Sequence, residues 1–270
     1  MIALHARKSA AAIAAFPGPV VVAATGTDLY QDWPHDPDAR ASFTRAWRIV
    51  TLHPTAGEVL PAELRDRVRP ILQSAAPLEP LPPQDPPTTV VVVGHLRAVK
   101  DPLVVGRALA HVPSGSSLRV VQVGGALEPE LGRQAEALAA RDPRYRWVGA
   151  LPPEQALRAL ASAHLLAVPS LVEGGANVIG EAVVHGVPVV ASRAHGNVGL
   201  LGADWPALFD VGDAQGLAAL LVAWESRPEV RREWADRTRA LAPRFAPSAE
   251  LSAWRALLSE LDRPTVPHPG

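Results

Sequence analysis

Two unbroken apolar runs flank one predicted helix within residues 164–202. The first run, HLLAVPS, ends in a loop that contains Gly174 and Gly175, and the second, VPVVAS, ends in another glycine-rich loop. The helix is predicted from about residue 176 to residue 185. Apolar runs without alternation are typical of strands covered on both faces of a parallel sheet. This order of strand, loop, helix and strand therefore predicts a βαβ unit with its loops at the carboxyl ends of the strands.

The same alternation of strands and helices extends through the rest of the chain. In the second half, TTVVVVGHL, SSLRVVQVGG and YRWVG predict three more strands separated by helices. In the first half, MIALH, VVVAA and RIVTLH predict three strands, with a helix from about residue 6 to residue 16 after the first of them. Such alternation predicts an α/β protein with parallel, Rossmann-like sheets in both halves.

A proline-rich segment separates the two halves. Residues 77–87, PLEPLPPQDPP, contain six prolines and predict a stiff, extended linker. The expected domains are therefore an N-terminal one over residues 1–82 and a C-terminal one over residues 83–243. A last amphipathic helix, within residues 244–262, is expected to pack back on the N-terminal domain.

Composition excludes several classes of function. The chain has 270 residues, a formal net charge of -1 and no basic run, which argues against a nucleic-acid partner. It has no cysteine, and its nine histidines lack metal-ligand spacing, so neither thiol chemistry nor a metal is expected. No cofactor is expected either.

The N-terminus and the longest apolar runs bear on localisation. Residues 1–24 share early positive charge and an apolar run with a secretory signal, but Pro17, Gly18 and Pro19 interrupt the run. No stretch reaches the ~18 apolar residues that span a membrane. We expect a cytoplasmic protein without integral membrane contact.

Three loops at strand ends are candidates for one anion site. They are GHLRAVKDP, EGGANVIGE and HGNVGLLG. In the first, Arg97 and Lys100 precede Asp101 and Pro102, which fit N-cap and first-turn positions of the next helix. Cations beside a helix N-terminus form a receptor for phosphate or diphosphate. The alternative is that both residues are ordinary surface charge.

Two glutamates, Glu173 and Glu181, bracket the start of the predicted helix. Glu181 is a lone carboxylate in a helix, VIGEAVVHGV, that is nearly all apolar, and a buried carboxylate requires a partner. Vicinal hydroxyls of a ribose are suitable donors, while Glu173 would bind hydroxyls beyond the phosphates. The competing interpretation is a solvated glutamate. His185 and His195 fit packing or loop positions better than catalysis.

The stretch PSLVEGGANVIGEAVVHGVPVVAS carries a glutamate, seven residues, a second glutamate, and then glycine and PVV. It resembles the donor half of GT-B glycosyltransferases of family four. The resemblance implies a GT-B fold, here with an incomplete N-terminal domain. The family's lysine after the first strand matches Lys100. Its arginine after the loop glycine is replaced by His95, and Arg97 follows two positions later.

A narrower resemblance covers about residues 3 to 254. TGTDLY, GHLRAVKDP, PRYRWVG, EGGANVIGEA and ASRAHGNVGLLG, in this order, are similar to the selenosugar synthases of selenoneine biosynthesis. Those enzymes join selenophosphate to the sugar of UDP-N-acetylglucosamine or UDP-glucose and release UDP. The resemblance implies a metal-independent hexosyltransferase whose partners are a UDP-sugar, with UDP-N-acetylglucosamine preferred, and selenophosphate or another small acceptor.

The resemblance also implies residue roles on the donor side. Glu173 would contact the donor sugar and Glu181 the uridine ribose, while Lys100 and Arg97 neutralise the diphosphate leaving group. The catalytic residues are therefore expected to be Arg97, Lys100 and Glu173. The expected donor-binding residues are Gly94, Val148, Gly174, Gly175, Ala176, Asn177, Val178 and Glu181.

The acceptor side is expected to hold an anion near the UDP. A selenophosphate nucleophile is already ionised and needs no general base, which fits Thr25 at the position of a family histidine. The expected acceptor-side residues are His5, Arg7, Lys8, Thr25, Gly26, Thr27, Asp28, Arg193, Gly196 and Asn197.

Two alternatives stay open. A transferase with a hydroxyl acceptor would need a base, and His5 and Asp28 are available. A non-catalytic sugar-nucleotide-binding protein is the second alternative, because the N-terminal half lacks about two of the ~30-residue strand–helix–strand units of a complete domain. Either the start codon is placed late, so that the given N-terminus is truncated, or the protein itself is cut back and inactive; we expect the first.

Overall fold

A computed structural model describes residues 1–79, 81, 83 and 86–261, and these residues form ten strands. The strands are β1 Ile2–Leu4, β2 Val21–Ala23, β3 Arg48–Thr51, β4 Val68–Pro70, β5 Thr89–Val93, β6 Arg119–Val123, β7 Tyr145–Trp147, β8 Leu165–Val168, β9 Val189–Ser192 and β10 Leu208–Phe209.

Eleven α-helices connect or follow the strands in the same described residues. They are α1 Ala10–Ala15, α2 Pro37–Arg45, α3 Ala62–Arg65, α4 Val104–Ala108, α5 Pro129–Arg141, α6 Pro153–Ala161, α7 Asn177–Val184, α8 His195–Leu201, α9 Ala214–Ser226, α10 Pro228–Leu241 and α11 Pro247–Ser259. None of the helices is both long and apolar enough to cross a membrane, within the part of the chain that is described.

The chain divides into two compact units. The first comprises residues 1–74 together with the chain from Pro243 onward, and the second comprises residues 75–242. The division after residue 74 lies earlier than the boundary at residue 82 suggested by the prolines. Within the predicted linker, residues 80, 82, 84 and 85 lie outside the described residues.

The first unit is built on a four-stranded parallel sheet in the order β1-β2-β3-β4. Three of these strands were predicted, and the prediction of three strands was wrong because it missed β4. That strand is only three residues long and ends in Pro70. Its extended backbone is paired with β3, where Ile49 lies opposite Val68. No periodicity in the sequence marks so short a strand.

Both faces of the first sheet are covered. Val22 and Ile49 point to a core shared with Ile13 of α1 and Phe43 of α2. The alternate residues of the strands, including Val21, point to a second core that contains Leu257 of α11. The last helix therefore belongs to the first unit, because it buries the face that α1 and α2 leave open.

The second unit contains a six-stranded parallel sheet in the order β10-β9-β8-β5-β6-β7. The five strands predicted for this half are confirmed, and β10 was missed because it has two residues. Numbered within the unit, the spatial order is 6-5-4-1-2-3, the order of a doubly wound Rossmann-like sheet. The predicted α/β class with parallel sheets is confirmed.

The switch in strand order falls between β5 and β8. The chain runs from β5 towards β7 on one side and from β8 towards β10 on the other. Connections that leave two adjacent strands in opposite directions open a crevice at their carboxyl ends, and ligands of such sheets bind there. The sheet order therefore predicts a ligand site at the loops that follow Val93 and Val168.

The loop after β5 differs from its prediction. Asp101 does not cap the next helix; a short 3₁₀ turn, Ala98–Lys100, comes first, and α4 begins at Val104. Asp101 has a positive φ of 39°, and its carboxylate accepts a hydrogen bond from Arg107. The turn displaces the helix start and places Lys100 at the end of a tight loop.

Candidate functional site

A pocket lies at the switch point of the second sheet. The ends of β5 and β8, the loops that follow them, and one residue of β6 form it. Its polar lining comes from His95, Lys100, Gln122, Ser170 and Glu173. The remaining lining residues are Val92, Val93, Gly94, Pro102, Ala167, Val168, Pro169, Ala176 and Val178. Two of the three predicted loops thus meet at one pocket.

Lys100 and Glu173 form an ion pair at this pocket. The ammonium of Lys100 contacts Oε2 of Glu173, which also accepts a hydrogen bond of 3.1 Å from the hydroxyl of Ser170. Glu173 is only 9% exposed. Its second oxygen, Oε1, accepts no hydrogen bond from the described residues. The pocket therefore contains a cation and a carboxylate oxygen that is available to a ligand hydroxyl.

The N-terminus of α7 borders the same pocket. Ala176 is the N-cap residue, and no side chain caps the helix. The backbone amides of Gly175, Ala176, Asn177 and Val178 have no acceptor among the described residues. Free amides at the positive end of a helix dipole bind anions. The helix end and Lys100 lie at the same pocket, an arrangement that is chemically suited to an anion.

Glu181 lies in the second turn of α7, four residues after its first residue. Burial raises the pKa of Glu181 above its ordinary value, and the imidazole of His185 offsets part of this effect. The carboxylate accepts no hydrogen bond from the side chains or amides described. A desolvated carboxylate without a partner is costly, and it gains most from hydroxyl donors.

His185 has a structural role one turn further on. Its Nδ1 lies 2.6 Å from the carbonyl oxygen of Glu181, and its Nε2 accepts a hydrogen bond of 2.9 Å from the amide of Leu78. These partners assign the proton to Nδ1. The histidine joins the end of α7 to the start of the unit, as expected of a packing residue.

Other residues of the first predicted loop have different positions. Gly94 lines the pocket, and a Cβ on Gly124 would lie 2.0 Å from the carbonyl oxygen of Gly94. Gly124 is thus required for the close approach of two strand ends. Arg97 is exposed and forms no ion pair with the described residues. The backbone amide of Val148 donates to the backbone carbonyl of Gln122, and Val148 does not line the pocket.

The prediction of a third loop over residues 195–202 was wrong, because His195–Leu201 form helix α8, and this helix supports the pocket from behind. A Cβ on Gly196 would lie 2.2 Å from the carbonyl oxygen of Glu173. Asn197 is fully buried, and its amide nitrogen donates to carbonyls of Val168 and Ser192. Contact of these two residues with an acceptor, as expected above, does not fit their packing. Arg193 is half-exposed and lies 3.5 Å from a carboxylate oxygen of Asp210.

Three buried polar residues of this region were not singled out from the sequence. Ser170, Ser192 and Gln122 are each at most 1% exposed. Each lies in or just after an apolar strand, where a polar residue is out of place unless it is hydrogen-bonded. A polar residue that interrupts an apolar run was therefore the signal in the sequence that could have identified these three positions. Oε1 of Gln122 has no partner among the described residues.

In the first unit, the loop after β2 is organised by Asp28. This residue is fully buried, and its carboxylate accepts hydrogen bonds from the amides of Ala6, Thr25 and Gly26 at 2.7, 2.9 and 3.1 Å. Residues 6–9 therefore form a turn around the carboxylate, and α1 begins at Ala10 instead of near residue 6. Asp28 holds the loop together and is not placed to accept a proton.

His5 is also held by its neighbours. It has a φ of 69°, its Nε2 lies 3.1 Å from the hydroxyl of Thr27, and its Nδ1 accepts a hydrogen bond of 3.4 Å from the amide of Lys8. With Nδ1 accepting, Nε2 carries the proton of the neutral ring and donates to Thr27. Neither nitrogen then has a free lone pair. Arg7 lies 3.0 Å from a carboxylate oxygen of Asp32, and Lys8 is exposed.

No group of three or more histidine, cysteine, aspartate or glutamate side chains is arranged to hold a metal ion in the described part of the chain.

A doubly wound sheet with an open helix end and a lysine at its switch point is typical of Rossmann-like units that bind anionic ligands. The family model for glycosyl transferases group 1 matches residues 78–241, which is most of the chain. The chain therefore belongs to the glycosyl transferases group 1 family.

Solved structures agree with this assignment of fold. Alr3699/HepE from Anabaena in complex with UDP has a TM-score of 0.76 and 18% identity over 90% of this chain and 72% of that chain. Sucrose-phosphate synthase from Thermosynechococcus elongatus has a TM-score of 0.77 and 19% identity over 97% of this chain and 73% of that chain. The fold is that of GT-B glycosyltransferases.

Two curated relatives carry the name D-inositol 3-phosphate glycosyltransferase. The one from Corynebacterium efficiens is 34% identical over 167 residues, or 56% of this chain and 38% of its own length. The one from Corynebacterium kroppenstedtii is 35% identical over 117 residues, or 40% of this chain and 26% of its own length. The matched part is thus well under half of each relative.

Proposed function

We propose that this protein is a metal-independent glycosyltransferase that transfers the sugar of a UDP-sugar, UDP-N-acetylglucosamine, to selenophosphate. The observation that carries the donor half of the proposal is the arrangement at the switch point. The free amides of Gly175–Val178 and the carboxylates of Glu173 and Glu181 lie along the start of α7 and its preceding loop, and Lys100 reaches Glu173 from the loop after β5. The selenosugar resemblance of the sequence supplies the acceptor.

The chemical groups of the UDP-sugar match these residues one after another along the start of α7. The diphosphate lies at the amides before α7, where Lys100 adds a positive charge. Glu181 is about 6 Å along the helix from Asn177 at ~1.5 Å per residue, a distance that suits the ribose. UDP is bound in the Anabaena structure of the same fold, which supports UDP as the nucleotide.

The ion pair suggests how the leaving group is stabilised. Departure of UDP places negative charge on a phosphate oxygen, and preorganised cations and amides lower the barrier to this charge. Lys100 is held by Glu173, so its position is set before the donor arrives. Oε1 of Glu173 remains to accept a hydrogen bond from a sugar hydroxyl.

The transfer step needs no proton acceptor when the nucleophile is ionised. A lone pair of selenium forms the bond to the anomeric carbon, the bond from that carbon to the diphosphate oxygen breaks, and UDP leaves with the electron pair. No proton moves. A hydroxyl acceptor would need a general base within hydrogen-bond reach.

The first unit favours the ionised acceptor. Asp28 is occupied by three amides, and the ring nitrogens of His5 have partners in Thr27 and Lys8. These were the two residues available as a base for a hydroxyl acceptor. Their engagement supports an acceptor that arrives with its negative charge.

A second candidate comes from the curated relatives. Their name describes glycosyl transfer to D-inositol 3-phosphate, and their identity to this chain is 34–35%. D-inositol 3-phosphate is an anion that reacts through a hydroxyl. As an acceptor, D-inositol 3-phosphate would need cations to bind its phosphate, as selenophosphate does, but it would also need a general base for its hydroxyl.

The two acceptors are separated by one assay. The full chain is mixed with UDP-N-acetylglucosamine and either selenophosphate or D-inositol 3-phosphate, and UDP release is followed by chromatography. We expect UDP only with selenophosphate, at a rate proportional to enzyme concentration. Release with D-inositol 3-phosphate alone would reject the selenosugar proposal. Tight UDP binding without release in either mixture would favour a non-catalytic sugar-nucleotide-binding protein.

A further inference from the structure

We infer that Ser170, Ser192 and Asn197 are positioning residues that set the catalytic geometry of Glu173. None of them reaches the reacting atoms. They act through buried hydrogen bonds: Asn197 and Ser192 fix the backbone of Ser170, and the hydroxyl of Ser170 binds the Glu173 carboxylate. The inference rests on the proposed function, because it assigns the chain a purpose in sugar transfer.

The chain begins at Asn197 in α8. Its amide nitrogen lies 3.1 Å from the hydroxyl oxygen of Ser192, at the end of β9. The hydroxyl of Ser192 donates to the carbonyl of Ser170 at 2.6 Å, and the hydroxyl of Ser170 donates to Oε2 of Glu173 at 3.1 Å. Asn197 and Ser192 thus hold the backbone of Ser170 in place, and the side chain of the same residue holds the carboxylate of Glu173.

All three residues are shielded from water. Asn197 and Ser192 are fully buried, and Ser170 is 1% exposed. Hydrogen bonds in such surroundings are stronger than at a surface, and polar groups left without them are costly. Polar contacts therefore hold the ends of β8 and β9 and the helix α8 in one arrangement. Apolar side chains in the same place would pack together without fixing the relative positions of these elements.

The backbone adds a steric constraint to this chain. A Cβ on Gly196 would lie 2.2 Å from the carbonyl oxygen of Glu173 and 3.0 Å from the amide of Gly175. The residue before Asn197 thus lies directly against the loop that carries the carboxylate. Movement of α8 would displace both Glu173 and the amides that precede α7.

These contacts determine which carboxylate oxygen of Glu173 can accept a hydrogen bond from the donor sugar. Ser170 and Lys100 both bind Oε2, so the rotation of the carboxylate is set and Oε1 is left for a ligand. Loss of the Ser170 hydroxyl removes one of the two contacts that set this rotation. UDP lacks the sugar that is transferred, so its binding does not depend on the orientation of Oε1.

The test compares Ser170→Ala with the wild-type protein. We expect kcat for UDP release from UDP-N-acetylglucosamine to fall about tenfold or more, as for loss of one hydrogen bond to a charged group. The Kd of UDP, from titration calorimetry, should stay within about twofold. Thr238→Val is the matched control, since Thr238 is a fully buried hydroxyl of the same unit that donates to the carbonyl of Trp234. Its kcat should not change.

A double-mutant cycle separates positioning from general destabilisation. Adding Ser170→Ala to Glu173→Gln should lower kcat much less than it does in the wild-type background, because the group that Ser170 orients is already altered. Equal losses in both backgrounds would overturn the inference. Ser192→Ala, one bond further away, should lower kcat by a smaller factor and decides the matter if Ser170→Ala does not fold.

The outcomes also distinguish this inference from the proposed function. If the wild-type protein neither binds UDP nor releases it from UDP-N-acetylglucosamine, the proposed function fails and this inference fails with it. If the wild-type protein turns over and Ser170→Ala and Ser192→Ala keep its kcat, only this inference fails.

Discussion

Replacement of Glu181 by glutamine should weaken donor binding and stabilise the free protein at the same time. Burial raises the pKa of Glu181 above its ordinary value of 4.5, so the folded protein binds this proton more tightly than the unfolded chain does. The carboxylate therefore reduces stability at pH values above its folded-state pKa, and this cost is absent below about pH 4. Glu181→Gln should raise the midpoint of urea denaturation near pH 7 and leave it unchanged near pH 3.5.

The loss of donor affinity follows from the two expected hydrogen bonds with the ribose. A hydrogen bond to a charged group contributes about 1.5–3 kcal/mol, against about 0.5–1.5 kcal/mol for a neutral pair. Neutralising the acceptor of two such bonds should cost about 2–3 kcal/mol. That corresponds to UDP binding about 30–150-fold more weakly.

Titration calorimetry with UDP and 2′-deoxy-UDP tests the assignment directly. The wild-type protein should lose affinity when the 2′-hydroxyl is removed, and Glu181→Gln should lose much less. Glu136→Gln, an exposed position on α5, is the matched control and should change neither stability nor affinity. Equal discrimination between the two nucleotides in wild type and Glu181→Gln would refute the ribose assignment.

Three further predictions concern the ion pair, a close contact and the last helix. Lys100→Met should lower kcat for UDP release about 100-fold, because one positive charge at the leaving group is lost. Arg133→Met is the exposed control and should not change kcat. An unchanged kcat in Lys100→Met would contradict the proposed role of Lys100. Gly196→Ala should destabilise the protein by about 1–3 kcal/mol in thermal denaturation through overpacking, whereas Gly115→Ala, where a Cβ meets nothing within 4 Å, should have little effect. Arginines of β3 and β4 hold the pKa of Glu260 at about 2, against an ordinary value of 4.5. This difference corresponds to at most about 3 kcal/mol, reduced by partial exposure to about 1–2 kcal/mol. The contribution is present above about pH 4.5 and is lost as the pH falls towards 2, so Glu260→Gln should lower the urea midpoint near pH 7 but not near pH 2.

The proposed acceptor and the positioning chain depend on different parts of the molecule. The proposed acceptor follows from the first unit, where Asp28 and His5 are engaged in holding a loop. The proposed positioning follows from the second unit, where Ser170 and Ser192 connect two strand ends to Glu173. A different acceptor would therefore leave the proposed role of Ser170 and Ser192 unchanged.

The sequence by itself determined the class of fold and the placement of the donor loops. Unbroken β-branched runs such as TVVVV are typical of strands buried on both faces, and their alternation with helices implies parallel pairing. Loops that follow parallel strands share one edge of the sheet, so Lys100 and Glu173 were expected near one another before any contact was known. Glu181 stood out because a carboxylate interrupts an apolar helix.

Only the tertiary structure decided which polar atoms are free and which are engaged. Strands β4 and β10 exist through pairing with neighbours, and α11 completes the first unit from the far end of the chain. Asp28 and Asn197 were expected to face a ligand, but both are fully buried and hydrogen-bonded to neighbouring backbone. The physical reason is that local sequence sets the period and the turns, whereas partners of a buried polar group lie at distant positions in the chain, and only the fold brings them within hydrogen-bonding distance.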